Sequence, residues 1–490
     1  MMTKACSSRL DRSTPCFASD AMVAWVISIR GRYARPWIVL FCLMLVLGGC
    51  ALPHRQPDLD RLYETERTEI QRPPVVLIPG LMGTRLISAQ QGEIWVGSLI
   101  DLMLSSYRHA ALEIDPNSLE PIPGDVMPGG LTSKFAGRDF YGSIVRTLEQ
   151  AGGYRRAEPG EAIDAGEPVY YVLAYDWRLD NLESVQRLQA LFEQIRIDHD
   201  RPDLQIDIVA HSMGGMIARY WMRYGVTDVL EDNQFPVSYH GAGRVRRVVL
   251  LGTPNLGSVE SLKAMLSGRR IGLRNIPPEV LMTFPSFYQL LPHPLNDWLL
   301  DMDGQPIDID PFNLSTWKRF QWSIFDPSVR ERIVSTAPDE ETGQTRLKQM
   351  ERYFHKHLER GRRFLWSLTV NLDRNPWYLV VFGGDCELTP ARLVVEHNDG
   401  RYAVHLRPDD IRRPRAGVDY QRLMLEPGDG VVTKASLLAR ESLDPRIPRH
   451  RWSHFPLRYP LFLCERHGQL STNVTFQNNL LNFLLNRDEA

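Results

Sequence analysis

A serine flanked by small residues is the feature of this chain best suited to chemistry. It lies in the run Ile208-Val209-Ala210-His211-Ser212-Met213-Gly214-Gly215-Met216-Ile217. An apolar, β-like segment from Leu204 to Val209 leads into it, and a helical pattern from Met216 to Tyr224 leads away. A serine at such a strand–turn–helix corner is held in a strained turn with its hydroxyl exposed, the setting of a nucleophile elbow. The neighbours must be small because the turn presses backbone against backbone, where a bulky Cβ would clash. The first small position is Ala210 rather than Gly. The bare G-x-S-x-G spacing is a weak pattern, and an ordinary βα loop is the competing reading. The flanking strand and helix give the motif its weight. The chemistry on offer is attack on an acyl group.

A serine hydroxyl needs a base within hydrogen-bond reach, and the base needs an acid to fix its tautomer. In folds built around such elbows the chain order is serine, then acid, then histidine. Two acids compete downstream. Asp385 directly follows the strand-like Trp377 to Phe382, and Asp429 sits in the glycine-flanked turn Pro427-Gly428-Asp429-Gly430-Val431-Val432. Either could simply cap its own turn; spacing alone slightly favours Asp385. For the base, His467 follows the apolar stretch Leu461 to Leu463 and precedes a terminal helix from Val474 to Leu485, where a last-strand loop would deliver it. His454 is the rival. His211 points elsewhere if Ser212 is at the apex. The oxyanion needs preorganised N–H donors. Met213, the residue after the nucleophile, supplies one, and Leu81 in Pro79-Gly80-Leu81-Met82-Gly83 is the candidate for the other.

The elements that must position these groups follow from periodicity. Pro74 to Gly80 reads as a buried strand ending in a turn, and Val169–Ala174, Leu204–Val209, Val245–Leu251 and Trp377–Phe382 read likewise. Amphipathic helical stretches lie between several of them, notably Phe140 to Gln150 and Leu182 to Ile197. Strands alternating with helices predict an α/β fold with a mostly parallel sheet covered on both faces. Two stretches break the alternation: 85–135, with an apolar patch, and 255–370, rich in aromatics. Both read as insertions near the carboxyl edge of the sheet, where caps and lids occur. A third, Ala391 to Leu406, looks like a hairpin around Asn398-Asp399-Gly400.

The 490 residues can bury a large core, and 43% hydrophobic residues, 24% charged residues and a formal net charge of -2 are ordinary for a soluble globular protein. Nothing in that balance suggests nucleic acid, and no run of like charge forms a tail. The amino-terminal region differs. Arg30, Arg32 and Arg35 precede an apolar run from Trp37 to Leu47, followed by Leu47-Gly48-Gly49-Cys50. A basic region, a short apolar core and small residues make a secretory signal, too short to span a bilayer comfortably. An uncleaved anchor helix is the alternative. Met22 offers a second start. An extracytoplasmic compartment permits a disulfide, so Cys386 and Cys464 are either a bridge or two small buried hydrophobes.

Leu47-Gly48-Gly49-Cys50 resembles a bacterial lipobox, which implies cleavage before a lipidated Cys50. Ala51 in place of aspartate favours the outer membrane, facing the periplasm. Further along, the chain resembles the lecithin:cholesterol acyltransferase family of α/β-hydrolases. The matches run in order: Ile78-Pro79-Gly80-Leu81-Met82-Gly83-Thr84 as the oxyanion loop, Ala174-Tyr175-Asp176-Trp177-Arg178 as the D-W-R signature, Ala210 to Gly215 as the elbow, Leu251-Gly252-Thr253-Pro254 as the G-T-P turn, Gly428 to Val432 as the acid loop, and His467-Gly468-Gln469-Leu470 as the histidine segment. The likeness covers roughly residues 73–486. It implies Asp429 as the acid, a lipid-related acyl substrate, a lid, and neither metal nor cofactor. Asp176 and Arg178 then brace a loop rather than catalyse. The expected layout is a lipoprotein signal peptide at 1–49, a lipidated tether at 50–72, and a hydrolase domain at 73–490. The expected function is serine-dependent transfer of an acyl group from a lipid ester to an alcohol or water. A simple lipase or esterase, or a non-catalytic lipid-binding envelope lipoprotein, is the alternative.

Overall fold

In the computed structural model the described residues are 56–69, 72–97, 105–135, 138–398, 400–439 and 458–486. The signal peptide, Cys50 and His454 lie outside them. From Asp58 onward they belong to one compact unit.

Seven strands form the central sheet: β1 (Val75–Ile78), β2 (Arg155–Arg156), β3 (Val169–Val172), β4 (Ile206–His211), β5 (Val245–Leu251), β6 (Tyr378–Gly384) and β7 (Tyr459–Leu463). Their order is β7-β6-β5-β4-β1-β3-β2, and every neighbouring pair is parallel. Strands buried on both faces read as continuous apolar runs, as in the fully buried Val75-Val76-Leu77-Ile78. Alternate residues serve opposite sides. Val76, Ile78, Ile208, Ala210, Val248 and Leu250 face one core. Val75, Leu77, Val209, Val249, Leu251 and Phe382 face the other. On the first side pack α2 (Asn181–Asp198), α3 (Met213–Tyr224) and the long α4 (Glu340–Thr369). On the second pack α1 (Gly142–Arg146) and α5 (Val474–Leu485).

The structure differs from the sequence reading at element ends. The strand expected at Leu204–Val209 is shifted to Ile206–His211, reaching the serine itself. The helix expected over Phe140–Gln150 is α1 followed by a π-type turn, Thr147–Ala151. The edge strand β2 holds two exposed arginines and carries no apolar signal. The stretch 85–135 contributes a small antiparallel sheet of Gly92–Trp95, Thr84–Ser88 and Val126–Leu131. The expected hairpin is present as Leu393–Asn398 paired with Arg401–His405. The aromatics of 255–370, among them Phe284, Phe287, Tyr288, Trp298, Trp317 and Trp322, are buried in the main core. That insertion is therefore a packed body. It is tied to the elbow helix by Arg219 and Arg223 of α3, which donate to the carbonyls of Leu368, Ser367 and Val370 at the end of α4. A cation there complements the helix dipole.

Candidate active site

Register brings the carboxyl ends of three strands level: Ile78 pairs with Ala210, and His211 with Leu251. Ligand sites of open parallel sheets lie at this edge. Between β4 and α3, Ser212 has φ 55° and ψ −127°, a left-handed conformation that a residue with a side chain adopts only when its surroundings hold it there. Its N–H donates to the Leu251 carbonyl at 2.8 Å. Gly80 comes so close that a Cβ on it would lie 2.6 Å from Ser212 Cβ; only glycine fits.

Ser212 Oγ lies 2.9 Å from His467 Nε2, and His467 Nδ1 lies 2.8 Å from Asp429 Oδ2. The other carboxylate oxygen of Asp429 accepts the N–H groups of Val431 at 3.0 Å and Val432 at 2.7 Å. The His467 N–H donates to the Asp429 carbonyl at 2.9 Å. Asp429 is buried. The structure thus brings Ser212, His467 and Asp429 into one hydrogen-bonded chain and leaves Asp385 out of it. Asp385 binds Lys434 Nζ instead, at 3.2 Å. The reason is topological. After β6 the chain makes an excursion and returns by pairing Glu387–Pro390 antiparallel with Leu425–Gly428, so that Asp429 lands beside the end of β6. A Cys386–Cys464 disulfide, with Cα atoms 5.0 Å apart, fastens the start of that excursion to the loop carrying His467.

Met213 follows Ser212 and Leu81 follows Gly80, which packs against Ser212; neither backbone N–H donates to a protein acceptor among the described residues. The Leu81 turn is braced from several sides. Tyr175 Oη donates to the Pro79 carbonyl at 2.6 Å, Trp95 Nε1 to Met82 at 2.9 Å, and Trp177 Nε1 to Thr84 at 3.0 Å. The D-W-R element supplies the last of these. Asp176 and Arg178 form a buried ion pair at 2.6 Å, and Arg178 also donates to the Ala110 carbonyl at 3.0 Å. They hold Trp177 in place and do not approach Ser212's partners.

Three residues near the site escaped the sequence reading. Tyr141 accepts the Gly80 N–H at 2.8 Å and lies 2.7 Å from His211 Nδ1. Trp95 stood in an apolar patch with nothing to mark its indole as a brace. His211 carried one signal, adjacency to the serine.

A parallel sheet with a strained serine between strand and helix, and a histidine delivered by the loop after the last strand, defines an α/β-hydrolase fold. The structure aligns with that in "The crystal structure of Tle4-Tli4 complex" at a TM-score of 0.52, with 14% identity, over 84% of this chain and 98% of that one. This likeness shows the fold. Weaker alignments are with Staphylococcus hyicus lipase (TM-score 0.35, 12% identity, 87% and 96% covered) and EstA from Clostridium botulinum (TM-score 0.34, 11% identity, 90% and 93% covered). No curated protein sequence matches significantly. The chain belongs to the lecithin:cholesterol acyltransferase family, whose profile matches residues 132–437. It is an enzyme of the acyltransferase or lipase-type ester hydrolase class.

Proposed function

We propose that the chain transfers an acyl group from a lipid ester through an acyl-enzyme on Ser212. His467 Nε2 takes the hydroxyl proton as Ser212 Oγ bonds to the ester carbonyl carbon. The carbonyl oxygen gains the negative charge and meets the Leu81 and Met213 N–H groups. Collapse expels the alcohol part of the lipid, which leaves with the proton from His467. An acceptor hydroxyl, from a lipid alcohol or water, then gives its proton to His467 and attacks the acyl-enzyme; collapse breaks the bond to Ser212 Oγ, which takes the proton back from His467. Asp429 keeps the His467 proton on Nδ1 and steadies the imidazolium that forms twice in the cycle.

The observation that carries this reading is the Ser212–His467–Asp429 chain, at 2.9 and 2.8 Å, beside two N–H groups without protein acceptors. Membership in a lipid acyltransferase family supports a lipid donor. The Leu47-Gly48-Gly49-Cys50 run supports attachment to the bacterial envelope through acyl chains on Cys50, in the outer membrane and facing the periplasm. Each buried methylene of such a chain adds about 0.8 kcal/mol of membrane affinity. Among the described residues no helix is long and apolar enough to cross a membrane.

The test uses the full chain and Ser212→Ala on phospholipid vesicles with a long-chain alcohol or sterol, with product lipids separated and identified. New ester formed only by the wild type is the expected result. Free fatty acid alone makes the enzyme a lipase, and no product from either protein overturns the reading for these lipids. Anchoring is tested separately: an alkynyl fatty acid fed to expressing bacteria should label the wild type and not Cys50→Ala.

A further inference from the structure

His211 adjoins Ser212 yet makes no bond to its hydroxyl. Its imidazole lies beside the His467 ring, centroids 5.0 Å apart, with Nδ1 2.7 Å from Tyr141 Oη and Nε2 3.3 Å from the His467 carbonyl. The directions of these bonds are set by counting protons. A carbonyl only accepts, so Nε2 carries the ring proton and Nδ1 is bare. Tyr141 Oη already accepts the Gly80 N–H at 2.8 Å, and its single proton goes to Nδ1. One neutral tautomer therefore satisfies every group from Gly80 through Tyr141 and His211 to His467.

We propose that Tyr141 and His211 are positioning residues, forming a neutral strut that keeps the oxyanion donor and the base at one spacing about Ser212. This rests on the roles given above to Leu81, His467 and Ser212. The anchoring points are the relevant ones. Gly80 precedes Leu81, and the peptides on both sides of Gly80 are held: the one before it by Tyr141 on the Gly80 N–H, and the one carrying the Leu81 N–H by the Gly83 N–H on the Gly80 carbonyl at 2.9 Å. That fixes the direction of the Leu81 N–H. At the other end, the His467 backbone is held through its N–H by Asp429 and through its carbonyl by His211. Tyr141 is buried and packs edge-on against His211, with ring centroids 5.5 Å apart at 78°.

The strut also keeps its protonation state. Burial first, then the neighbouring His467 ring, lowers the His211 pKa to about 3, against smaller opposing pulls from the His467 carbonyl and then Asp429. Burial pushes the Tyr141 hydroxyl well above its ordinary value. Tyr141, His467 and Asp429 are the titratable groups facing His211. The strut stays neutral throughout the pH range in which an unperturbed imidazole titrates.

The experiment compares the full-length wild type with Tyr141→Phe, His211→Gln and the double variant. The measurements are p-nitrophenyl butyrate hydrolysis, fluorophosphonate labelling of Ser212, and thermal unfolding. Tyr141→Phe strands the Gly80 N–H and the bare Nδ1. His211→Gln keeps an amide within reach of the His467 carbonyl but leaves no acceptor at the Nδ1 position that Tyr141 uses. Each should lower kcat and the labelling rate by about tenfold to 100-fold, since misplacing a catalytic group by about 1 Å costs that much. KM should stay within about twofold. The double variant should fall no further than the worse single one, because both substitutions break the same strut. Variants as fast as an active wild type overturn the inference. So do multiplicative losses in the double variant, or losses that appear only with a collapsed unfolding temperature. A wild type inert to both ester and fluorophosphonate overturns the proposed function and this inference together.

Discussion

Asp429→Asn separates the two acids that the sequence left in competition, and the hydrogen bonds dictate its effect. Asp429 Oδ1 holds two backbone N–H groups, those of Val431 and Val432, while Oδ2 alone faces His467. An asparagine there must keep its carbonyl on the Oδ1 side. The opposite rotamer would strand both buried N–H groups, at about 1–3 kcal/mol each. Its NH2 is then forced towards His467 Nδ1, which has to become the acceptor, so the ring proton moves to Nε2. That nitrogen lies 2.9 Å from Ser212 Oγ and can no longer take its proton. A wrong tautomer in an otherwise intact triad lowers kcat about 10⁴-fold, or roughly 5 kcal/mol of barrier. Folding should be little changed, since both backbone bonds survive. The assay is kcat on p-nitrophenyl butyrate beside thermal unfolding, with Asp385→Asn in parallel. Asp385 contacts Lys434 and not His467, so its variant should stay within about threefold of wild type on the same reasoning. A folded Asp429→Asn enzyme within tenfold of wild type would refute the argument, and a large loss in Asp385→Asn would redirect it.

Trp177→Phe removes the indole donor to the Thr84 carbonyl and should cost about 1–3 kcal/mol in urea unfolding; an unchanged midpoint would show that water or another donor replaces it. The Cys386–Cys464 bridge spans a sequence separation of 78. Replacing both cysteines with alanine should cost about 4–5 kcal/mol on a chain-entropy account, and activity should be lost at lower denaturant than in the wild type. Burial lowers His211 and His293 from 6.5 to about 3 and His357 to about 4. Because their folded pKa values are depressed, the unfolded chain binds more protons between those values and 6.5. Stability should therefore be full above about pH 6.5 and fall on acidification, by about 2 kcal/mol per histidine at pH 5. Unfolding free energies that stay flat from pH 7 to 5 would contradict this.

What could be read in advance, and what could not, follows from the range of each interaction. The elbow was legible because strand, serine and helix are contiguous, and sterics imposes small residues two positions either side of the serine, at Ala210 and Gly214. The base was legible because topology delivers it after the last strand, so that position in the chain stands in for position in space. The acid was not legible from spacing. Asp385 directly follows β6 in sequence, but the antiparallel return of Leu425–Gly428 onto Glu387–Pro390 brings Asp429 to His467, and strand counting does not contain that pairing. Only the family resemblance pointed to it. Tyr141 is 70 residues from His211 and 61 from Gly80, and no periodicity or motif links positions that far apart. The two-residue strand β2 is invisible for a different reason: at the edge of the sheet it buries no side chain, and burial is what hydrophobic patterning reports.

The same geometry bears on how the two halves of the proposed reaction divide between parts of the chain. The groups assigned to acyl-enzyme formation sit at or beside the edge of the parallel sheet, and are held by hydrogen bonds within the protein that need no substrate to form. Ser212 is tied to Leu251, Asp429 to Val431 and Val432, and the turn around Leu81 to Tyr141, Tyr175, Trp95 and Trp177. Preorganised dipoles of this kind do their work without reorganising during the reaction, so the first half-reaction belongs to the scaffold. The choice between alcohol and water is a different problem, because both use the same base and the same oxyanion donors. It has to be made by whatever surrounds the acyl-enzyme. Substitutions that change the surroundings of the acyl-enzyme without touching the triad should therefore change the ratio of ester to fatty acid while leaving the rate of fluorophosphonate labelling alone, whereas substitutions at Ser212, His467 or Asp429 should lower both products together.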